Sequence, residues 1–186
     1  KCLAFLGRVS PEKCPDQAIE LAKRVGIPMK MAAKVDPADR AYFERVVEPL
    51  LDHPLIEFVG EITDAEKSDF IGNAIGLICP YDWPEPFGLV LIESLACGTP
   101  VLAYRRGSIP EIIGHGVTGF ISENLDEMVS QVDKLGTIDR NRCRQVFDER
   151  FTAQRMTTDY VKIYQQLITD AAALPGKSGQ QHASNL

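Results

Sequence analysis

The sequence predicts an α/β fold, a three-layer Rossmann-like domain in which helices cover both faces of a parallel sheet. Short apolar runs that end in glycine or in polar loops recur along the chain, as expected of strands buried on both faces. Segments with helical periodicity separate these runs, and strands joined in this way form right-handed crossovers in a parallel sheet. At 186 residues the chain is long enough for one sizeable hydrophobic core.

The apolar runs predict five strands and a shorter sixth. The first strand stops at Gly7, and the third ends at Gly60. The full set is expected at residues 2–6, 29–33, 55–60, 75–79, 100–103 and 118–122. Because ligands bind at the carboxyl ends of such strands, a functional site is expected in the loops that follow them.

The segments between the strands predict helices with recognisable start and stop signals. Residues 15–25 have apolar positions at helical spacing and are followed by Gly26 and Pro28, which end the helix. Thr63 and Glu66 form a capping box that begins another helix. Further helical segments are expected at residues 36–51, 125–135, 139–150 and 152–173.

Composition and charge narrow the class of protein. The chain has 45% hydrophobic and 25% charged residues, and no apolar run reaches membrane-spanning length, so no transmembrane segment is expected. A formal net charge of -6 argues against a general affinity for nucleic acid, which clustered Lys and Arg would bind. The five cysteines are widely spaced without a C-x-x-C pair, so we expect reduced thiols and a cytoplasmic location.

The domain organisation is expected to be simple. One domain covers residues 1–173, and residues 174–186 form a flexible tail that is rich in Gly, Ser and Gln. The chain begins at Lys1 without an initiator Met, and we therefore interpret it as part of a longer protein.

The first candidate site follows the first strand, where Gly7 precedes a polar loop that contains Arg8 and Lys13. Amides at the start of the next helix and the two cations are suited to binding a diphosphate. A solvated loop with two surface cations gives the same pattern, and for this loop alone that is the commoner case.

The second candidate site surrounds the start of an almost wholly apolar helix. Phe87, Gly88 and Leu89 stand at its N-terminus, where backbone amides lack partners within the helix and Gly88 lets a ligand approach. Glu85 precedes these amides, and Glu93 follows them on the helix. Because such a helix is usually buried, Glu93 is expected to be buried and to need a partner. A sugar nucleotide would use both acids, whereas a solvated Glu85 and a Glu93 in a local network are the alternative.

Taken together, motifs in a fixed order resemble the donor-binding half of the retaining glycosyltransferases of family 4, which have the GT-B fold. The resemblance covers nearly all of the chain up to about residue 173. Its landmarks are FLGR at residues 5–8, PEK at 11–13, FVG at 58–60, EPFGLV at 85–90 with Glu93, ACGTPV at 96–101, PEII at 110–113 and GVTGF at 116–120.

The resemblance implies a role for each candidate residue. Arg8 and Lys13 would bind the diphosphate of a nucleotide-sugar donor, and Glu93 would bind the ribose hydroxyls. Glu85 would be the catalytic residue, in contact with the donor sugar near the reacting centre. The amides that hold sugar hydroxyls or phosphate would be those of Phe87, Gly88 and Leu89.

The same resemblance implies a hexosyltransferase that retains the anomeric configuration of the sugar. Its acceptor is unknown, and its N-terminal acceptor domain would lie outside this chain, so the isolated chain is expected to bind donor but to transfer little sugar. Two alternatives stay open. One is a non-catalytic nucleotide-binding regulatory module on the same fold, and the other is an enzyme like glycogen synthase or phosphorylase, which also have the GT-B fold.

Several further features of the sequence bear on this interpretation. Cys14 and Ser108 stand where the family commonly has glycine, and the sequence leaves open whether Trp83 lines the donor site or packs its loop. Residues 114–119 match G-x-G-x-x-G, but they lead into a strand, so we interpret them as a turn. No cofactor and no metal are expected, because no D-x-D triplet occurs and no histidine has partners at metal-ligand spacing.

Overall fold

A six-stranded parallel sheet forms the centre of the computed structural model, which describes residues 2–173. The strand order is β3-β2-β1-β4-β5-β6. The strands are β1 (Leu3–Arg8), β2 (Met29–Lys34), β3 (Ile56–Gly60), β4 (Leu77–Cys79), β5 (Val101–Tyr104) and β6 (Gly119–Ser122). The predicted flexible tail, residues 174–186, lies outside the described residues.

Helices connect the strands and cover both faces of the sheet, which confirms the predicted fold class. They are α1 (Pro15–Val25), α2 (Arg40–Tyr42), α3 (Glu48–Leu51), α4 (Asp64–Gly72), α5 (Leu89–Ala96), α6 (Ile109–Ile112), α7 (Leu125–Gln131), α8 (Arg140–Arg150) and α9 (Ala153–Ala173). A π-helical segment, Phe43–Val47, joins α2 to α3, and short 3-10 helices occupy Pro11–Lys13, Pro37–Asp39 and Val132–Thr137. Among the described helices, none is both long and apolar enough to cross a bilayer.

The core lies around β1 and β4, the two central strands. Leu3 and Phe5 of β1 and Leu77 and Ile78 of β4 are fully buried. From β1 the sheet grows through β2 and β3 on one side and through β4, β5 and β6 on the other. The order therefore reverses between β1 and β4, and the loops that follow these strands leave a crevice at the carboxyl edge of the sheet, where ligands bind in this class of fold.

Contacts group the chain into two units, Lys1–Glu149 and Arg150–Leu186. The first unit contains the sheet and helices α1 to α7. The described part of the second unit contains α9, whose exposed large apolar side chains include Tyr160, Tyr164 and Leu167. The boundary of a single domain at residue 173 stays a prediction.

The predicted elements agree with the structure except near some of their ends. The strand predicted at residues 2–6 continues through Gly7 and Arg8, because both residues pair with β2. The helix predicted to reach residue 135 ends at Gln131 and continues as a 3-10 helix. The predicted capping box is confirmed, since the Thr63 amide donates to the Glu66 carboxylate at 2.8 Å at the start of α4.

Candidate functional site

A cleft of about 530 Å³ opens at the carboxyl ends of β1 and β4. It lies where the strand order reverses, as expected for a ligand site in a doubly wound sheet. Six of the seven predicted site residues lie on its wall, and so does one lysine that the sequence did not single out. The lining residues are Leu6, Gly7, Lys13, Lys67, Tyr81, Glu85, Pro86, Phe87, Gly88, Leu89, Val90 and Glu93.

Lys13 and Glu85 form an ion pair inside the cleft. Their side chains are only 19% and 8% exposed, so the pair is largely shielded from water. The ammonium of Lys13 also lies 3.9 Å from the centre of the Tyr81 ring, a cation–π distance. The indole N–H of Trp83 donates to the same carboxylate oxygen of Glu85 that Lys13 contacts, Oε2, at 3.0 Å.

These contacts determine the charge state of Glu85. Burial alone would raise the pKa of Glu85, but the hydrogen bonds from Lys13 and Trp83 favour the ionised form and lower the pKa overall. The amide of Gly88 acts in the same direction. Glu85 is therefore a carboxylate at neutral pH, able to accept hydrogen bonds from hydroxyl groups or to stabilise positive charge, and not a proton donor.

The backbone that carries Glu85 is held by two neighbouring loops. The amide of Ser108 donates to the carbonyl oxygen of Glu85 at 2.8 Å, and the amide of Asp82 donates to the carbonyl oxygen of Glu12 at 3.0 Å. Gly107 has a positive φ of 50°, and a Cβ atom at this position would overlap the backbone of Glu85. The loops after β1, β4 and β5 are thus fixed against one another around Glu85.

The start of α5 faces the cleft as the sequence predicted. Gly88 has a φ of 77° and immediately precedes the helix, while Phe87 and Leu89 are exposed on the cleft wall. The first amides of a helix lack carbonyl partners within it, and the helix dipole makes this end positive. Main-chain donors and partial positive charge therefore lie beside Glu85, where hydroxyl or phosphate oxygens would find partners.

Glu93 lies on the cleft side of α5, but the expectation that it is buried is wrong. Its side chain is 38% exposed, because α5 turns one side toward the open cleft instead of being enclosed all round. The expected partner is present: the ammonium of Lys67 on α4 lies 3.2 Å from Oε1 of Glu93. Hydrogen bonds to Asp64 and Glu93 raise the pKa of Lys67, so this lysine stays charged.

Arg8 is the one predicted site residue that lies off the cleft wall. It is at the end of β1, and its guanidinium contacts Glu12 at 2.6 Å and Asp39 at 3.5 Å. The cleft is lined instead by Gly7, the preceding residue. Because its side chain is 48% exposed and long, Arg8 reaches a diphosphate only if it exchanges these carboxylates for phosphate oxygens.

The two positions where the family commonly has glycine behave differently in the structure. Cys14 has a φ of 48° and is the one non-glycine among the described residues with a positive φ, which explains the family preference at this position. Ser108 has an ordinary φ of −73°, because the neighbouring Gly107 takes the left-handed conformation. The hydroxyl of Ser108 is buried without a hydrogen-bond partner in the described part of the chain.

The sequence predicts that residues 114–119 are a turn and not a dinucleotide-binding motif, and that the protein has no metal site. Residues 114–119 form a turn before β6, in which the amides of Val117 and Thr118 donate to the carbonyl of Gly114, so the predicted turn is confirmed. Within residues 2–173, no group of three or more His, Cys, Asp or Glu side chains is arranged to hold a metal ion. The expected absence of a metal and a cofactor stays a prediction.

Sequence comparisons identify relatives across most of the first unit. The model of the family Glycosyl transferases group 1 matches residues 1–146. The N-acetyl-alpha-D-glucosaminyl L-malate synthase of Bacillus anthracis is 37% identical over 94 residues, which cover 46% of this chain and 25% of that protein. The D-inositol 3-phosphate glycosyltransferase of Mycobacterium marinum is 29% identical over 140 residues, which cover 73% of this chain and 30% of that protein.

Structural comparisons give the same fold. HepE of Anabaena, crystallised with UDP and glucose, superposes with a TM-score of 0.73 at 20% identity, over 93% of this chain and 48% of that protein. The sucrose-phosphate synthase of Thermosynechococcus elongatus superposes with a TM-score of 0.78 at 20% identity, over 91% of this chain and 46% of that protein. These likenesses confirm the predicted fold, one half of a GT-B protein, and the chain spans less than half the length of either structure.

Proposed function

Because the chain belongs to the glycosyl transferases of group 1, we propose that it binds a nucleotide-diphosphate sugar for transfer of the sugar with retention of configuration. The observation that carries this proposal is the meeting of Lys13, Glu85, Glu93 and the start of α5 in one cleft. Cations and helix amides can bind the diphosphate of a nucleotide sugar. The two carboxylates can accept hydrogen bonds from the hydroxyl groups of its sugar and its ribose. The names of the relatives, which include glycosyltransferases and a protein crystallised with UDP and glucose, support the same class of donor.

We assign the leaving diphosphate to the cationic side of the cleft. Lys13 and the amides of Phe87, Gly88 and Leu89 would stabilise the negative charge that develops on the nucleoside diphosphate as its bond to the sugar breaks. Arg8 would join them after releasing Glu12 and Asp39. Stabilising a leaving group by fixed charges and dipoles needs no metal ion, in agreement with the expected lack of a metal.

The two acids would hold the two sugars of the donor. Glu85 lies beside the start of α5 and is ionised, so it would accept hydrogen bonds from the transferred sugar and stabilise positive charge at its reacting carbon. Glu93, less than two turns further along the helix, would accept from the ribose hydroxyls. In this arrangement the transferred sugar would lie near Glu85, before the start of α5, and the ribose would lie near Glu93, further along the helix.

The acceptor and any catalytic base would come from an N-terminal domain of the full-length protein. The curated relatives are about three to four times as long as the regions that match this chain, at 25% and 30% coverage. We therefore expect the isolated chain to bind donor and to transfer little or no sugar. The five free thiols fit a reducing cytoplasm, which is where we place the protein.

Calorimetric titration of the chain with UDP, GDP, ADP and their glucose esters tests the donor site. At least one nucleotide should bind, and Glu93→Ala and Arg8→Ala should each weaken it about tenfold, the effect expected for losing one charged hydrogen bond. Glu57→Ala and Arg24→Ala, which remove exposed charges away from the cleft, should bind like the parent. Absence of binding, or unaltered binding by both Glu93→Ala and Arg8→Ala, would overturn the site assignment.

Experiments that test retention and catalysis need the full-length protein. With an acceptor in hand, the anomeric configuration of the product, read by proton NMR, should match that of the donor sugar. A full-length protein that binds the nucleotide but never transfers sugar would favour the regulatory module instead. Release of sugar phosphate from glycogen in the presence of phosphate would favour the phosphorylase-like alternative.

A further inference from the structure

Trp83 is the only tryptophan of the chain, and its indole N–H points at the carboxylate of Glu85. The donor distance is 3.0 Å, to the same oxygen, Oε2, that accepts from Lys13. Oε1 takes no part in either of these two bonds. Two donors from different segments of the chain therefore fix one oxygen of Glu85 and with it the orientation of the whole carboxylate.

We propose that Trp83 is a positioning residue that keeps Glu85 aimed at the donor sugar while Lys13 contacts the diphosphate. The role of Glu85 in this proposal rests on the proposed function. Lys13 has two possible anionic partners, the Glu85 carboxylate and an incoming diphosphate, and the diphosphate has the larger charge. The indole group is neutral and cannot be withdrawn in this way. Trp83 would thus preserve the orientation of Glu85 in the donor complex.

The surroundings of Trp83 agree with this role better than with simple packing. Its side chain is not enclosed in the core, since the residue is 36% exposed. The neighbouring Asp82 is fixed through its amide to Glu12 at 3.0 Å and through its carboxylate to Arg106 at 3.1 Å. The loop thus presents the indole edge to Glu85 with a backbone anchored on both sides.

Within residues 2–173, neutral hydrogen-bond donors and titratable side chains both influence the titration of Glu85. The neutral donors are the Trp83 indole and the Gly88 amide, and the titratable side chains are those of Lys13, Tyr81 and Cys79. Burial raises the pKa of Tyr81 and raises that of Cys79 to about 12, so both stay neutral while a carboxyl group titrates. A change in the Glu85 titration after alteration of Trp83 therefore reports on the indole N–H and on Lys13, whose ammonium lies 5.5 Å from the centre of the Trp83 ring.

The first experiment measures the pKa of Glu85 without any ligand. Carboxyl ¹³C NMR on glutamate-labelled protein, with the Glu85 signal assigned by its loss in Glu85→Gln, should show a rise of about one pKa unit in Trp83→Phe. Because the chain has one tryptophan, 3-benzothienylalanine supplied in its place replaces the indole N–H with sulfur, keeps the bicyclic ring and should give the same rise. Tyr42→Phe, which removes an aromatic donor from Asp16 elsewhere, should leave the Glu85 pKa unchanged.

The second experiment separates positioning from mere packing. For whichever of UDP, GDP and ADP binds, the benzothienyl protein should bind the free diphosphate within about twofold of the parent but its glucose ester about three- to tenfold more weakly. An unchanged Glu85 pKa in both altered proteins, or an equal loss for the diphosphate and its ester, overturns the proposal. If no nucleotide binds at all, the proposed function fails, while the pKa measurement still decides whether Trp83 holds Glu85.

Discussion

Lys13 and Glu85 are 72 residues apart in the sequence, and their side chains form an ion pair at the carboxyl edge of the sheet. Lys13 ends the 3-10 helix after β1, whereas Glu85 lies in the loop between β4 and α5. The pair therefore connects the two loops that border the crevice. It also links the diphosphate and sugar sides of the proposed donor site in one contact.

The interaction between Lys13 and Glu85 should be measurable from the free energies of unfolding of single and double variants. Urea unfolding of Lys13→Met, Glu85→Gln and the double variant should give a coupling energy of about 1–3 kcal/mol, because each single change leaves a shielded charge without its partner. The exposed pair Lys30 and Glu57, altered to Met and Gln in the same way, should give less than about 1 kcal/mol. Equal coupling in the two cycles would show that shielding in the cleft adds nothing.

The contribution of Glu85 to stability should depend on pH in a defined direction. Hydrogen bonds hold the pKa of folded Glu85 below its ordinary value of 4.5, so the unfolded chain takes up the proton first as the pH falls. The stabilisation is complete above the unfolded pKa and is lost as the pH falls through the folded pKa. The difference in unfolding free energy between the parent and Glu85→Gln should thus be constant near neutrality and shrink below pH 4.5. A difference that grows on acidification would contradict the lowered pKa.

Gly107→Ala should damage the site through the backbone. A Cβ atom at Gly107 would overlap the carbonyl oxygen and amide of Glu85, and the positive φ of 50° adds strain. We expect a loss of about 2–4 kcal/mol in urea unfolding, together with weaker nucleotide-sugar binding. Gly136→Ala is the matched control, because a Cβ there has no heavy atom within 4 Å and φ is not positive. Normal stability of Gly107→Ala would mean that the loop has room that the structure does not show.

At Cys14 a glycine should be better tolerated than an alanine. Its φ of 48° is left-handed, and a residue with a Cβ pays for this conformation, whereas glycine adopts it freely. Cys14→Gly should therefore be about 1 kcal/mol more stable than Cys14→Ala, which loses the same sulfur but keeps the Cβ. The comparison is best made between these two variants by urea unfolding, because both lack the sulfur and they differ only in the Cβ. A Cys14→Ala protein as stable as Cys14→Gly would show that the conformation is unstrained.

In the parent protein the thiol of Cys14 should react slowly with alkylating reagents. Burial raises its pKa to about 11, and its Sγ contacts the carbonyl oxygen of Pro11 at 3.1 Å. Reaction with iodoacetamide at neutral pH should therefore be much slower than for an exposed cysteine, because the thiolate is the reactive form. Mass spectrometry of the labelled peptides would measure this, with the less buried Cys2 as the internal comparison.

The sequence by itself determined the backbone architecture to a large extent. Apolar runs placed all six strands, and the helix at Pro15–Val25 matches its predicted bounds because Pro15 and Gly26 provide local start and stop signals. The motif order also singled out Glu85, the start of α5 and Glu93, which lie on the wall of one cleft, while their roles stay a prediction. These features depend on periodicity and on neighbours within a few residues, which a sequence displays directly.

Only the tertiary structure decided which side chains meet. Lys67 contacts Glu93 across two helices, Trp83 and Lys13 share one oxygen of Glu85, and Arg8 is paired with acids outside the cleft wall. The pairs Lys13–Glu85 and Lys67–Glu93 join segments that are 72 and 26 residues apart, so no local spacing encodes them. Trp83 and Arg8 contact acids only two and four residues away, but the loop conformation decides which of the nearby acids each side chain reaches. Burial is also decided by the tertiary structure. Helix α5 is apolar on almost all sides, but its cleft side faces solvent and leaves Glu93 partly exposed. The sequence thus determined which side chains can take part in the candidate site. Packing determined which of them contact one another and which charge they carry.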